Sequence, residues 1–293
     1  MRYQFIAAEQ HDYAVVRLCQ ALNVSPSGYY AWRRRAVSKR EMANQLLVAR
    51  IEQVQRQVRY TYGSPRMHAE LCAQGERCGR NRVARLMRKH NLGARHSKSI
   101  KRAARTGGPA TAAPNLLGRD FQVAAPNSVW LADITYIPTA QGWLHLAVVM
   151  DLFSRRVIGW AMAKDMATAL VRNAFRMAVR QRRPPSGLIH HSDRGSQYTS
   201  AEYRLELAEL DIGCSLSAAG NCYDNAPMES FFATLKGELV SHERYQTRDE
   251  AGAAIFSYTE GFYNRIRRHS SLGYVSPDEF ERAYYQQQEG LSS

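Results

Sequence analysis

The chain lacks several features that place proteins in a class at first sight. Only five cysteines occur in 293 residues. Cys19, Cys72, Cys78, Cys214 and Cys222 are odd in number and irregularly spaced, so a reducing compartment is expected rather than a disulfide framework. No Cys-x-x-Cys or paired-His spacing accompanies Cys72 and Cys78, so zinc is not expected there. No apolar run reaches the roughly 18 residues of a transmembrane helix. Residues 1–9 carry no apolar h-region, so no secretory signal is expected. A leucine heptad sustained over several repeats is also missing, which leaves no coiled coil to predict. Acidic residues are scarce at one end: residues 1–120 hold 23 Lys+Arg against 7 Asp+Glu, while the remainder holds 17 against 19.

What is present is a core-forming composition, 45% hydrophobic, with a net charge of +14. That excludes a wholly disordered chain. The length predicts two domains, or one large domain with an appendage. The lopsided charge points to a polyanion, and nucleic acid fits best because Lys and Arg that neutralise phosphates release counterions. A membrane surface fits less well, since the basic residues do not back a continuous apolar face. No membrane partner is expected.

The basic half reads as two helical units. Residues 13–22 show helical apolar spacing, residues 23–28 form a turn with a cap signal, and residues 29–35 form a short helix ending in Arg33, Arg34 and Arg35. This is a helix-turn-helix outline, although a plain helical hairpin with core aromatics has the same pattern. In the second unit Ser64 is the expected N-cap with Pro65 at the first helical position. Helices are expected over 65–74 and 80–91. Arg80, Arg82, Arg85, Arg88 and Lys89 make the latter all-positive, where a solvated helix usually mixes signs. Residues 1–60 and 61–93 are therefore read as helix-turn-helix regions, and 94–120 as a basic flexible linker.

The near-neutral half has an α/β grammar. Strands are expected over 129–137, 143–153 and 156–163 as an antiparallel meander, then a helix over 167–182 and a strand over 188–191. A helix near 200–210, a strand over 212–216 and a helix near 224–240 follow. This is the order of an RNase H-like core, here residues 121–240, preceded by all-α units and followed by a helical extension over 241–293. The last ten residues read as a frayed tail.

Three carboxylates stand out. Asp133 lies mid-strand between apolar residues, where Asp is disfavoured. Asp193 follows the fourth strand, where open α/β sheets place their sites. Glu229 lies on the later helix. Hard oxygen ligands of this kind suit Mg²⁺ in phosphoryl transfer. Spacing alone does not set them apart from Asp151, Asp224 and Glu238.

Residues 130–136 (Trp-x-x-Asp-Ile-Thr-Tyr), 191–198 (His-Ser-Asp-Arg-Gly-Ser-Gln-Tyr) and 225–236 (Asn-Ala-Pro-x-Glu-Ser-Phe-Phe-x-x-Leu-Lys) resemble the catalytic blocks of DDE transposases and retroviral-type integrases. The most similar group is the OrfB-type transposases of the bacterial IS-three insertion-sequence family, which residues 263–277, 27–32 and 62–66 also resemble. The resemblance implies that Asp133, Asp193 and Glu229 are catalytic and hold two Mg²⁺ ions, with Mn²⁺ as a substitute. It implies that Lys236 touches DNA near the scissile phosphate, although a plain surface lysine is the alternative. The expected DNA contacts are Arg33, Arg34, Arg35, Arg80, Arg82, Arg85 and Lys89. Asn225 is expected to cap or orient the Glu229 helix, His191 to make a structural hydrogen bond or neighbour the metal, and Gln197 and Tyr198 to line the DNA path. The implied reaction is end cleavage followed by strand transfer on double-stranded DNA, namely terminal inverted repeats and target. A homodimer or higher oligomer on DNA, an OrfA partner or OrfA–OrfB fusion, and a bacterial cytoplasmic, nucleoid-associated location go with it. Without OrfA's zipper, a catalytically inactive DNA-binding regulator is the alternative. No retroviral His/Cys zinc domain is present.

Overall fold

Local signals set the first helices. Ser25 Oγ accepts from Gly28 N at 3.0 Å, and Pro26 supplies the fixed φ of a first turn. The computed structural model describes residues 1–95, 113–118, 121–218 and 222–291, and the chain divides into two compact units, Met1–Ile51 and Glu52–Ser293. The first holds α1 (Arg2–Glu9), α2 (Val15–Ala21), α3 (Pro26–Arg34) and most of α4 (Lys39–Gln57). Its core is Ile6, Cys19 and Tyr29, all fully buried, with Tyr3 and Trp32 packed on them at a ring distance of 5.7 Å from each other. The aromatics of α3 are thus core, while Arg33, Arg34 and Arg35 are exposed.

In the second unit α5 (Ser64–Ala73) buries Met67 and Leu71, and α6 (Arg80–Lys89) buries Val83, Leu86 and Met87. The N-cap of α5 is Gly63 rather than Ser64, a shift of one residue. Gln55 joins the pair: its Nε2 donates to the carbonyls of Tyr62 at 2.9 Å and Leu92 at 2.8 Å.

The sheet comprises β1 (Val129–Thr139), β2 (Gly142–Asp151), β3 (Val157–Ala163), β4 (Ile189–Ser192) and β5 (Gly213–Leu216), in the order β3-β2-β1-β4-β5. The first three are antiparallel; β4 runs parallel to β1 and to β5. Period-two alternation sends Trp130, Ala132 and Ile134 to one face. There they meet Leu170, Ala174 and Phe175 of α7 (Thr168–Arg182), Tyr198 of α8 (Ser196–Thr199), and Tyr203 and Leu207 of α9 (Ala201–Glu209). Gly159 lets α7 settle onto β3, since a Cβ there would run into the Ala174 carbonyl and the Ala178 methyl. This is an α/β RNase H-like fold.

The remaining elements are α10 (Ala226–Glu238), α11 (Arg248–Phe256) and α12 (Pro277–Leu291), with π-helical turns over Ser257–Tyr263. Asn264 pairs with the outer edge of β3, accepting from Val157 N at 3.0 Å and donating to Val157 O at 2.9 Å. Edge strands need such cover. Residues 284–291 are not a frayed tail: α12 continues through them, and Tyr284 stacks against Phe153 at 5.1 Å. Of the span read as a linker, residues 113–118 lie along β5, with Pro114 O accepting from Leu216 N at 3.2 Å. Residues 96–112 fall outside the described residues. No helix among the described residues is long and apolar enough to cross a membrane.

Candidate active site

Residues 129–135 of β1 are all buried, and Asp133, at 5% exposure, sits among them. Its even-numbered neighbours face the α7 core, so alternation turns Asp133 to the opposite face. A carboxylate in that setting is costly unless cations or donors meet it. One donor is local, Ile134 N at 2.7 Å from Oδ1.

The sheet register brings a second acid beside it. Ala132 pairs with Ser192 in the last β1–β4 rung, so Asp133 and Asp193 are the next residues on neighbouring parallel strands, which run about 4.8 Å apart. Asp193 is half-buried, and its Oδ1 accepts from Gly195 N at 2.9 Å. A Cβ at Gly195 would stand 3.0 Å from that same Oδ1, so a side chain there would press on the carboxylate. Arg194 Nε donates to Ser217 O at 2.7 Å and Ser217 N to Ser192 O at 2.9 Å, which pins the loop to the end of β5.

The third acid arrives on α10. Where the β4 ladder ends, Asn225 Nδ2 donates to Ala132 O at 3.0 Å. Asn225 occupies the N-cap position but makes no side-chain capping bond, so it orients the helix rather than capping it. Eleven residues on, Lys236 Nζ lies 4.7 Å from the ring centre of Tyr136 on β1. That helical span is about 16 Å and the strand span from 132 to 136 about 13 Å, so α10 runs alongside β1 in the same direction. Glu229, about 6 Å along α10 from Asn225, falls abreast of residues 133–134. The helix buries Met228, Phe231, Phe232 and Leu235, while Glu229 and Lys236 stay half-exposed.

The other acids serve the scaffold. Asp151, fully buried, accepts from Asn127 N at 2.7 Å and Phe153 N at 2.9 Å, and burial pushes its carboxyl up to about 6. Asp224 accepts from Ala218 N at 2.8 Å and from the Asn115 amide at 3.1 Å. Glu238 accepts from Arg267 at 2.6 and 2.8 Å, from Tyr258 Oη at 2.7 Å and from Arg66 at 3.4 Å. This network ties the end of α10 to α5 and to the segment after the π-helical turns. Arg268 adds a second tie, Nε donating to Glu70 Oε2 at 2.6 Å.

Both ring nitrogens of His191 face hydroxyls, Ser215 Oγ at 2.8 Å and Ser217 Oγ at 3.1 Å, and burial holds the imidazole down at about 4. It is a structural hydrogen-bonding residue. Tyr198 is buried against Tyr203 and His190, so it does not line a DNA path; Gln197 donates to Met166 O at 2.9 Å. Among the basic residues, Arg33 donates to Gln10 Oε1 at 2.9 Å from the last turn of α3. On α6, Arg80, Arg85 and Lys89 are exposed and Arg82 is half-buried, around the side chains that face the core. Sequence reasoning missed the structural roles of Glu238, Arg267 and Asn264. The signal was Arg267 and Asn264 standing together within residues 263–277.

Comparison with known proteins fits this layout. The integrase core domain family matches residues 123–222 and again 210–277, and the HTH-like domain family matches residues 42–99. These matches define an enzyme of the polynucleotidyl transferase type with a DNA-binding-type helical domain. The 31 kDa protein of insertion element IS600 from Shigella sonnei is 44% identical over 269 residues, 92% of this chain and 99% of that protein. Transposase InsF for insertion sequence IS3A from Escherichia coli K12 is 40% identical over 283 residues, 96% of this chain and 98% of the relative. The chain belongs to the IS3 family of insertion-sequence transposases. Among solved structures, a simian T-cell lymphotropic virus intasome aligns with a TM-score of 0.47 at 16% identity, over 75% of this chain and 70% of that one.

Proposed function

We propose that the chain cuts the ends of its insertion sequence and joins them to DNA, with Asp133, Asp193 and Glu229 as the catalytic acids. The observation that carries this is the register of β1 and β4, which sets Asp133 beside Asp193, together with the Asn225–Ala132 bond that brings α10 alongside. The donor set is all carboxylate oxygen, with Asp133 buried and Asp193 and Glu229 half-exposed, which fits a hard divalent ion. The three acids would hold Mg²⁺, two ions by our reading and with Mn²⁺ as a substitute. When bound, it supplies charge neutralisation and activation of the attacking oxygen in an in-line displacement.

A water oxygen attacks the phosphorus at the element end, and the bridging P–O bond to the 3′ carbon's oxygen breaks to leave a 3′-hydroxyl. That hydroxyl attacks a second phosphodiester, so one P–O bond forms as another breaks and no enzyme adduct is needed. Lys236, held over Tyr136, neutralises phosphate next to the reacting one. Arg33, Arg34, Arg35, Arg80, Arg82, Arg85 and Lys89 grip double-stranded DNA at the terminal inverted repeats and the target. Residues 121–240 form the catalytic core and 241–293 its helical extension. Residues 1–60 and 61–93 form DNA-binding regions, and the chain passes from them to the core through 94–120. Two DNA ends must be held together, so a homodimer or higher oligomer assembles on DNA, with OrfA or an OrfA–OrfB fusion as partner. Action on a bacterial element places the protein in the cytoplasm at the nucleoid.

The test is an oligonucleotide assay with duplex element ends and Mg²⁺. Wild type should cleave and join; Asp193→Asn should do neither while still retarding the duplex, because the basic regions are untouched. Equal strand transfer by that variant would refute the assignment.

A further inference from the structure

His68 and Cys72 stand one turn apart on α5, so they share a helix face. The turn that follows passes through Gly75 at φ +87 and returns Cys78 to the same place, just ahead of α6. One ligand atom from each of His68, Cys72 and Cys78 lies within 4.8 Å of the others. Cys72 Sγ is 3.5 Å from His68 Nε2, which also faces Cys78 O at 3.0 Å. With Zn–S near 2.3 Å and Zn–N near 2.0–2.1 Å, a tetrahedral ion sets its S···N edge at about 3.6 Å. The Cys72–His68 distance matches that edge, in a spot where Cys72 is exposed and His68 and Cys78 are half-buried.

We propose that His68, Cys72 and Cys78 bind one zinc ion, with a solvent molecule as fourth ligand, and that the ion clamps the turn between α5 and α6. Two thiolates and an imidazole form a soft donor set that selects zinc over magnesium. On binding, both thiols lose their protons, and Nε2 exchanges its bond to the Cys78 carbonyl for the metal while Nδ1 keeps the ring proton. The role follows from position. Arg80 opens α6 two residues after Cys78, so fixing Cys78 fixes the start of the basic helix. Spacing in the sequence hid the site because the His-x₃-Cys-x₅-Cys order has no paired Cys or His.

The inference is independent of the acidic triad, and so is its test. The full-length chain, kept reduced and free of metal, is titrated with Co²⁺ and then with Zn²⁺ while the absorption spectrum is followed. The expected result is intense near-ultraviolet thiolate-to-cobalt absorption with the visible bands of a tetrahedral ion, saturating near one equivalent and bleached by Zn²⁺. Cys72→Ser and His68→Ala should each lose or markedly weaken it. Glu229→Gln should keep it, since carboxylates give no thiolate band. Absence of the band in the reduced wild type would overturn the proposal, as would its survival in Cys72→Ser. Loss of two titratable thiols in air, without a cobalt band in the reduced chain, would assign Cys72 and Cys78 to a redox pair instead.

Discussion

Asn225 Nδ2 lies 3.0 Å from the carbonyl oxygen of Ala132, and this one bond ties the start of the helix carrying Glu229 to the residue before Asp133. It forms where β4 stops pairing with β1. Asn225 therefore holds the start of α10 against β1. Asn225→Ala leaves the Ala132 carbonyl without this partner, which costs about 1–3 kcal/mol. Strand-transfer turnover should fall far more than thermal stability does, whereas duplex binding should hold. An unchanged turnover would remove Asn225 from the account.

Glu238 joins α10 to Arg267, which is 3% exposed, and to Arg66 and Tyr258. Removing one partner of a buried ion pair costs about 3–5 kcal/mol because the other charge stays behind. Glu238→Ala should lower the urea midpoint accordingly, and Glu238→Gln less. Equal midpoints for wild type and Glu238→Ala would mean that solvent already screens the pair.

Acid should destabilise the fold through its buried imidazoles, with the raised carboxyl of Asp151 working the other way. Burial pushes His190 down to about 3, and burial with Arg267, Arg66 and Arg155 nearby also pushes His269 well down. An unfolded imidazole titrates near 6.5. Between those values the unfolded chain binds more protons, so stability is full above about pH 6.5 and drains as pH falls towards 3. Urea midpoints at pH 7 and pH 5 check this; a midpoint that rises on acidification contradicts it.

Exposed Arg80, Arg85 and Lys89 should report on DNA through salt. Each phosphate contact contributes about 0.9 to the slope of log affinity against log salt. Replacing all three by Ala should reduce that slope by roughly 2.7 if each meets a phosphate. An unchanged slope would move the DNA path away from α6.

Much of the sheet was legible because its strands are short apolar runs between Pro, Gly and Asn. Asp133 was legible as an anomaly, a charge within such a run. The buried acids were not separable by spacing. Asp151, Asp224 and Glu238 owe their structural roles in part to partners distant in sequence, such as Asn127, Asn115 and Arg267. The helix at Lys39–Gln57 escaped notice because Gln, Asn and Glu interrupt its apolar face; Gln55 is fully buried with its amide bonded to Tyr62 O and Leu92 O. Tyr198 misled for the opposite reason. It sits in a polar block beside Asp193, yet its ring belongs to the α7 and α9 core.

The most direct measurement is made in cells. The gene with its native flanks, including any upstream frame, is carried on a plasmid, and junctions between the two element ends are counted for wild type and Glu229→Gln. The account predicts junctions in wild type and none in Glu229→Gln. Junctions at wild-type frequency in Glu229→Gln would contradict the acidic triad. If wild type also makes none even with an OrfA–OrfB fusion supplied, strand transfer by this chain is contradicted.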